Sequence, residues 1–216
     1  METRMIVALG ELRKIWTYPV KSLRRIEHTT VTIQEDGLEG DRRAALYVMS
    51  PEHARTGKTY RGKEDNRLHM LTVPDDAERA AGERGVALAQ RNGERYYDAG
   101  DVSLILDSWI AEVEAALGRS LDPLRWRPNL YLRAATHAKE PALIGQRVRI
   151  GEAILRVLRP IGRCVTPTYD QETGESDPAI SRFVAEHRDN KMGVYCSVEQ
   201  PGVVRAGDRA EILAGP

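Results

Sequence analysis

At 216 residues the chain is long enough for one sizeable core, and its 32 lysines and arginines are balanced by 32 aspartates and glutamates. With no net field to draw it to nucleic acid or to an anionic membrane, any anion it binds must be held locally. No run approaches the roughly 18 apolar residues that span a bilayer, and residues 1–10 lack the build of a secretory leader, so a cytoplasmic location and two reduced thiols, Cys164 and Cys196, are expected.

The predicted pattern is mainly β with a few helices, an α+β mixture. Runs rich in β-branched and aromatic residues, bounded by glycine, proline or acidic turns, predict strands at 12–20, 29–34 and 43–49. Residues 34–41 read as a loop, and 50–66 as a long polar connection of the kind that is usually functional or mobile. A short helix is predicted at 75–82 and a strand at 86–90. A longer helix is predicted over 101–117, where Val102, Ile105, Leu106, Trp109, Ile110, Val113 and Leu117 share a stripe and Gly118 follows as a stop. Strands follow at 129–133, 146–150, 153–158, 193–198 and 209–213. A helix at 178–187 has Asp177 to cap it and Pro178 in its first turn. So many short strands separated by turns argue for a barrel or sandwich.

Four polar clusters fall at the edges of these strands. Tyr18-Pro19-Val20-Lys21-Ser22 presents a lysine and a hydroxyl from a rigid turn, and Gly40-Asp41-Arg42-Arg43 opens the third strand with paired arginines. Arg125-Trp126-Arg127-Pro128-Asn129 precedes another strand, and Arg163-Cys164 is the fourth cluster. Lysine offers a point charge and arginine a planar fork suited to phosphate or carboxylate, so together they could clamp an anion; separately, each reads as well as solvated surface charge. A guanidinium beside a cysteine favours the thiolate, the form that binds soft metals or attacks electrophiles, whereas an isolated cysteine is more often a small buried hydrophobe.

In order, Tyr18-Pro-Val-Lys-Ser22, Gly40-Asp-Arg42, Arg127-Pro-Asn129, Arg163-Cys164 with Thr168, Asp170, Thr173 and Gly174, then Gly193-Val-Tyr195 and 202–208, resemble the MOSC family, named for the molybdenum cofactor sulfurase C-terminal domain. The resemblance covers nearly the whole chain and is similar to the amidoxime reductases of mitochondria and their bacterial relatives. Residues 59–68, ending in Asn66-Arg67-Leu68, resemble the family segment that borders the active site. The resemblance implies a MOSC-type β-barrel over 99–216 with an N-terminal β-rich segment, 10–98, packed against it as one compact unit.

It also implies a molybdenum enzyme reducing N-hydroxylated compounds, whose metal is held by a pyranopterin dithiolene and one protein thiolate, Cys164. Lys21, Ser22, Arg42, Arg127, Asn129, Arg163 and Thr168 match cofactor-binding positions, and Asp170 is a catalytic candidate, expected either to orient the cysteine loop or to act near the metal's exchangeable oxygen. A deprotonated cysteine for the metal and fixed cations for a phosphorylated cofactor fit the residue reading made independently. Pro167 and Gln171 depart from the family's usual residues. Without an appended ferredoxin domain or mitochondrial targeting segment, the chain is expected to draw electrons from a separate donor protein. Pyridoxal phosphate is not expected, since the desulfurase half that binds it in the sulfurases has no counterpart here.

Two other readings of Cys164 stay open: a sulfur carrier holding a persulfide, or a non-catalytic module that binds and delivers the cofactor. Cys196, in an alternating run, reads as a core residue. His28, His53, His69, His137 and His187 show no zinc-like spacing, although His53, Arg55, Arg67 and His69 could line a substrate entrance if the long connection folds over the site.

Overall fold

The computed structural model describes residues 6–49, 56–62, 65–70, 75–90, 95–96 and 99–213. The elements in chain order are β1 (Ile6–Thr17), β2 (Val20–Lys21), β3 (Ile26–His28), β4 (Thr30–Gln34), β5 (Gly37–Leu38), β6 (Ala44–Tyr47), α1 (Asp75–Glu83) and β7 (Ala87–Gln90). There follow β8 (Val102–Leu106), α2 (Asp107–Leu117), β9 (Leu130–Ala134), α3 (Glu140–Leu143), β10 (Arg147–Ile150), β11 (Ala153–Gly162), α4 (Pro178–His187), β12 (Lys191–Gln200), β13 (Gly202–Arg205) and β14 (Arg209–Leu213).

Seven strands, in the order β14-β10-β11-β12-β8-β9-β1, close into a barrel because β1 also pairs with β14. Closure removes the open edges that would template aggregation. Only β8 and β9 in this ring run parallel, and the crossover between them is long enough to hold α2. β1 spans the ring at 12 residues and bends through two irregularities, at Ala8/Gly10 and Leu12/Lys14. The first needs glycine: a Cβ on Gly10 would sit 2.3 Å from the Arg133 carbonyl oxygen. Smaller sheets flank the ring, β13-β4-β5 on one side and β2-β6-β7 on another.

Leu9, Leu12 and Ile15 of β1, Val102, Leu104, Ile105 and Leu106 of β8, and Leu130 and Leu132 of β9 fill the main core, with Trp109, Ile110 and Val113 of α2 and Ile180 and Val184 of α4 packed against them. A separate cluster, including Val20, Leu46, Leu68, Ala77 and Ala80, holds α1 on the β2-β6-β7 sheet. β1 begins before the N-terminal segment 10–98, and its part inside that segment, residues 10–17, is a stave of the barrel, so the segment contributes a strand to the ring. The expected helix over 101–117 is corrected: Val102–Leu106 is strand β8, and the helix begins at Asp107. All five residues of β8 are buried, and a strand buried on both faces is apolar at nearly every position, here all but Ser103, so that it also fits a helical stripe. No described helix is long and apolar enough to cross a membrane.

Candidate functional site

One end of the ring opens onto a cavity of about 280 Å³ between the barrel and the β2-β6-β7 layer. Lys21, Arg42, Arg61, Arg125, Arg127 and Arg163 all line it, and among the described residues no carboxylate does. In a chain of zero net charge, this concentration of one sign is a local construction that focuses field on an anion.

Three of the five non-glycine residues with positive φ lie in this wall: Ser22 at 70°, Arg42 at 50° and Arg127 at 49°. Left-handed backbone costs a side-chain-bearing residue of order 1 kcal/mol, so the surrounding structure must hold it there. At Arg42 the clamp is double, since its N–H donates to the Tyr18 carbonyl at 2.9 Å and its carbonyl accepts from Tyr96 N–H at 2.8 Å. The neighbouring Asp41, fully buried, accepts from Tyr18 N–H at 2.7 Å and from Arg95 Nη2 at 2.6 Å, and also pairs with Arg42.

Two guanidiniums lie over the Tyr18 ring, Arg127 at 4.1 Å and Arg42 at 5.2 Å from its centroid. An aromatic face lets two like charges approach one ligand. Burial pushes the Tyr18 hydroxyl up to about 12, against the pull of Arg127 and Arg42, so it stays neutral and donates to the Pro128 carbonyl at 3.1 Å.

Cys164 follows β11, whose pairing with β12 slips at Val157/Arg159 and again at Pro160/Gly162. Bulges at a barrel rim re-aim the residues beyond them, and here the cysteine emerges exposed, its Sγ 3.1 Å from Thr166 Oγ1. Arg163 was expected to act on this thiol. Its guanidinium donates to the carbonyls of Met192 at 2.7 Å and Trp126 at 2.9 Å, pinning the loop to the barrel.

The loop beyond is fastened from behind. Asp170 accepts the N–H groups of Glu172 and Thr173 and pairs with Arg125 at 3.0 Å. Burial would raise its carboxyl, but the Thr173 and Glu172 N–H groups and the Arg125 charge outweigh that and hold it below the usual range. Thr168 is buried, bonding Ser181 through its hydroxyl and Arg125 through its carbonyl. Asn129, also buried, accepts from Ser103 N–H at 3.1 Å, Ser103 Oγ at 2.9 Å and Arg42 Nη1 at 3.3 Å, and donates to the Trp16 carbonyl at 3.1 Å.

Of the residues expected at the site, Lys21, Ser22, Arg42, Arg127, Arg163 and Cys164 line the cavity. Asn129, Thr168 and Asp170 do not; they stand behind its wall and position Arg42 and Arg125. Of the four residues expected near an entrance, His69 lines it and Arg67 does not, while His53 and Arg55 lie outside the described residues; Arg61, from the stretch 59–68, also lines it. Sequence reasoning missed Ser103 and the Asp41–Arg95 pair, since a serine in an apolar run and a distant arginine carry no local signal.

His69 is 3% exposed, and its Nδ1 donates to the Ser22 carbonyl at 2.9 Å. Burial, followed by the Arg127 charge, pushes it down to about 3, so it is neutral and its Nε2 is an acceptor. Cys196, the other thiol, is in the core and pushed up to about 12 by burial.

Residues 95–211, more than half of the sequence, match the MOSC domain. The chain belongs to the MOSC domain family. Mitochondrial amidoxime-reducing component 1 of Danio rerio is 26% identical over 122 residues, which cover 52% of this chain and 37% of that protein. The YuaD protein of Bacillus subtilis superposes with a TM-score of 0.56 at 16% identity, each chain covered completely. A hypothetical protein of known structure gives 0.51 at 16% identity over 98% of this chain and 70% of its own. These two likenesses establish the MOSC-type barrel.

Proposed function

We propose that the cavity binds the molybdenum cofactor, with Cys164 as its protein thiolate, and that the protein reduces small N-hydroxylated compounds with electrons from a separate donor protein. What carries this reading is an exposed thiol on the rim of a cavity lined by six cations and no described carboxylate. The residues fit such a group: Arg125 Nε and Trp126 Nε1 are buried donors with no partner in the protein, which an anionic, heteroatom-rich ligand would satisfy. Among the described residues no cluster of three His, Cys, Asp or Glu could hold a bare ion. A soft metal at Cys164 would therefore bring its own dithiolene ligands.

Lys21, Arg42 and Arg127 would hold the cofactor's phosphate, and the fixed Cys164 loop would hold its metal end. When bound, the cofactor supplies the two-electron redox chemistry that converts an N–OH group and two protons to N–H and water. The chain's part is to bind, orient and compensate negative charge. The amidoxime-reducing relative supports this reaction class.

Protein made in a cofactor-competent host should carry close to one molybdenum and one pterin per chain. Cys164→Ala should lose the molybdenum and the reduction of a benzamidoxime by a chemically reduced viologen dye. Wild-type protein without molybdenum overturns the reading. An exposed thiol with one hydroxyl neighbour would also serve a sulfur carrier, which intact-protein mass spectrometry would reveal as an added mass of about 32 Da on Cys164. Pterin without turnover would mark a delivery module.

A further inference from the structure

Three arginines of β10 and β11 are neutralised on the barrel surface: Arg147 and Arg156 pair with Glu199, and Arg149 pairs with Glu211. Arg159, also on β11 and five residues ahead of Cys164, is treated differently. It is exposed and forms no ion pair among the described residues; its guanidinium lies over the Tyr195 ring, 5.4 Å from the centroid.

The strand pairing explains why an arginine occupies that place. Val157 of β11 stands opposite Cys196 of β12, and both belong to the core. One step along β12 is Tyr195, yet the register slips on β11, so that Arg159 and not Leu158 stands opposite it. Tyr195 in turn stands opposite Ser103 of β8. Directly opposed residues of antiparallel strands share a face, so Arg159, Tyr195 and Ser103 form one row across three strands. Ser103 and Tyr195 are cavity wall, and the row ends in a cation. A bulge gives up regular pairing to re-aim a side chain, and here it puts a guanidinium where regular pairing would put a leucine. Gly100 seats the ring beneath, since a Cβ there would fall 2.7 Å from Tyr195 Cβ.

We infer that Arg159 anchors the substrate, and that the preferred substrates are N-hydroxylated compounds carrying a second, anionic group, a carboxylate or a phosphate, which this guanidinium binds beside the Tyr195 ring. The inference rests on the cofactor reading and narrows its substrate class. A guanidinium laid on an aromatic face is held in one orientation, and its planar fork matches either anion. With no carboxylate to compete for it, its charge is available to a ligand.

The test sets substrate charge against residue 159. Wild type and Arg159→Gln, purified from a cofactor-competent host, would be assayed with benzamidoxime and with its para-carboxy and para-phosphono derivatives. Wild type should show a KM for at least one anionic derivative roughly tenfold below that for benzamidoxime, and the lower of the two names the anion. In Arg159→Gln that ratio should collapse toward one, whereas a merely structural role would move all three values together and preserve it. Para-carboxybenzamide, which has no N–OH to reduce, gives a readout apart from turnover: its affinity by calorimetry should fall roughly tenfold in the variant if the carboxylate is the anion bound. Equal KM values in wild type, or a ratio unchanged by the substitution, overturns the inference and leaves the cofactor reading intact. Loss of pterin from Arg159→Gln on dialysis assigns the guanidinium to the cofactor's phosphate and also overturns it. Wild-type protein without molybdenum and pterin overturns both.

Discussion

At the residue scale the site depends on a few buried polar groups that touch no ligand themselves. Asp41 is the clearest. It is fully buried, meets Arg95, which is 2% exposed, and fixes the backbone at Tyr18, whose ring carries the Arg42 and Arg127 guanidiniums. Removing one partner of a buried ion pair strands the other charge, so Asp41→Asn should cost about 3–5 kcal/mol in urea unfolding. The same variant should weaken anion retention, because Arg42 loses the carboxylate that orients it. Asn129 illustrates why the sequence could not rank these residues. Arg127-Pro-Asn129 contains one residue in the wall and one behind it, and the order of residues along a chain is silent on which side of a wall each one stands.

At the element scale, the cysteine loop is held by three separate fastenings to the turn after β2 and to the residues before β9. Arg125 reaches Thr168 and Asp170, Arg127 bonds Gln171 at 3.1 Å, and Glu172 bonds Arg24 at 2.5 Å and pairs with Arg25. Glu172 is partly exposed, so its pairs contribute little globally. Glu172→Ala should leave global stability within about 1 kcal/mol of wild type while speeding amide exchange in residues 164–174, which hydrogen–deuterium exchange would read. Departure of Gln171 from the family's usual proline is what makes the Arg127 fastening possible. Elements with punctuation were legible in the sequence: α4 runs over Pro178–His187 as expected, with Asp177 Oδ1 accepting from Ala179 N–H. Strand β8 was not, because burial on both faces erases the period of two. β13 was not predicted either, although β7 and β10, equally short, were.

At the scale of the whole molecule, zero net charge conceals a local concentration of cations in the cavity wall, two of which, Arg42 and Arg125, are backed by Asp41 and Asp170 just behind it. Acid should test this arrangement through His69. Its value is about 3 folded against 6.5 for a free histidine, so between those limits the unfolded chain binds the extra proton and stability falls as pH falls. From pH 6.5 to 5 that group alone should remove about 2 kcal/mol, seen as a falling urea midpoint. His69→Gln should flatten this share. Asp170 has the opposite timing: its lowered carboxyl stabilises the fold above the ordinary aspartate range and gives that up only as pH falls through its folded value, below this window.

The pairing of β1 with β14 has a consequence for biogenesis. A ribosome-bound chain that has made β1 but not β14 has no closed ring, and the rim loops around Cys164 lack a rigid support. If the cavity takes the proposed cofactor, its loading belongs after synthesis, onto a finished barrel, and cells starved of that cofactor should accumulate a folded apoprotein, which limited proteolysis of the purified chain would show as resistance equal to that of the loaded form.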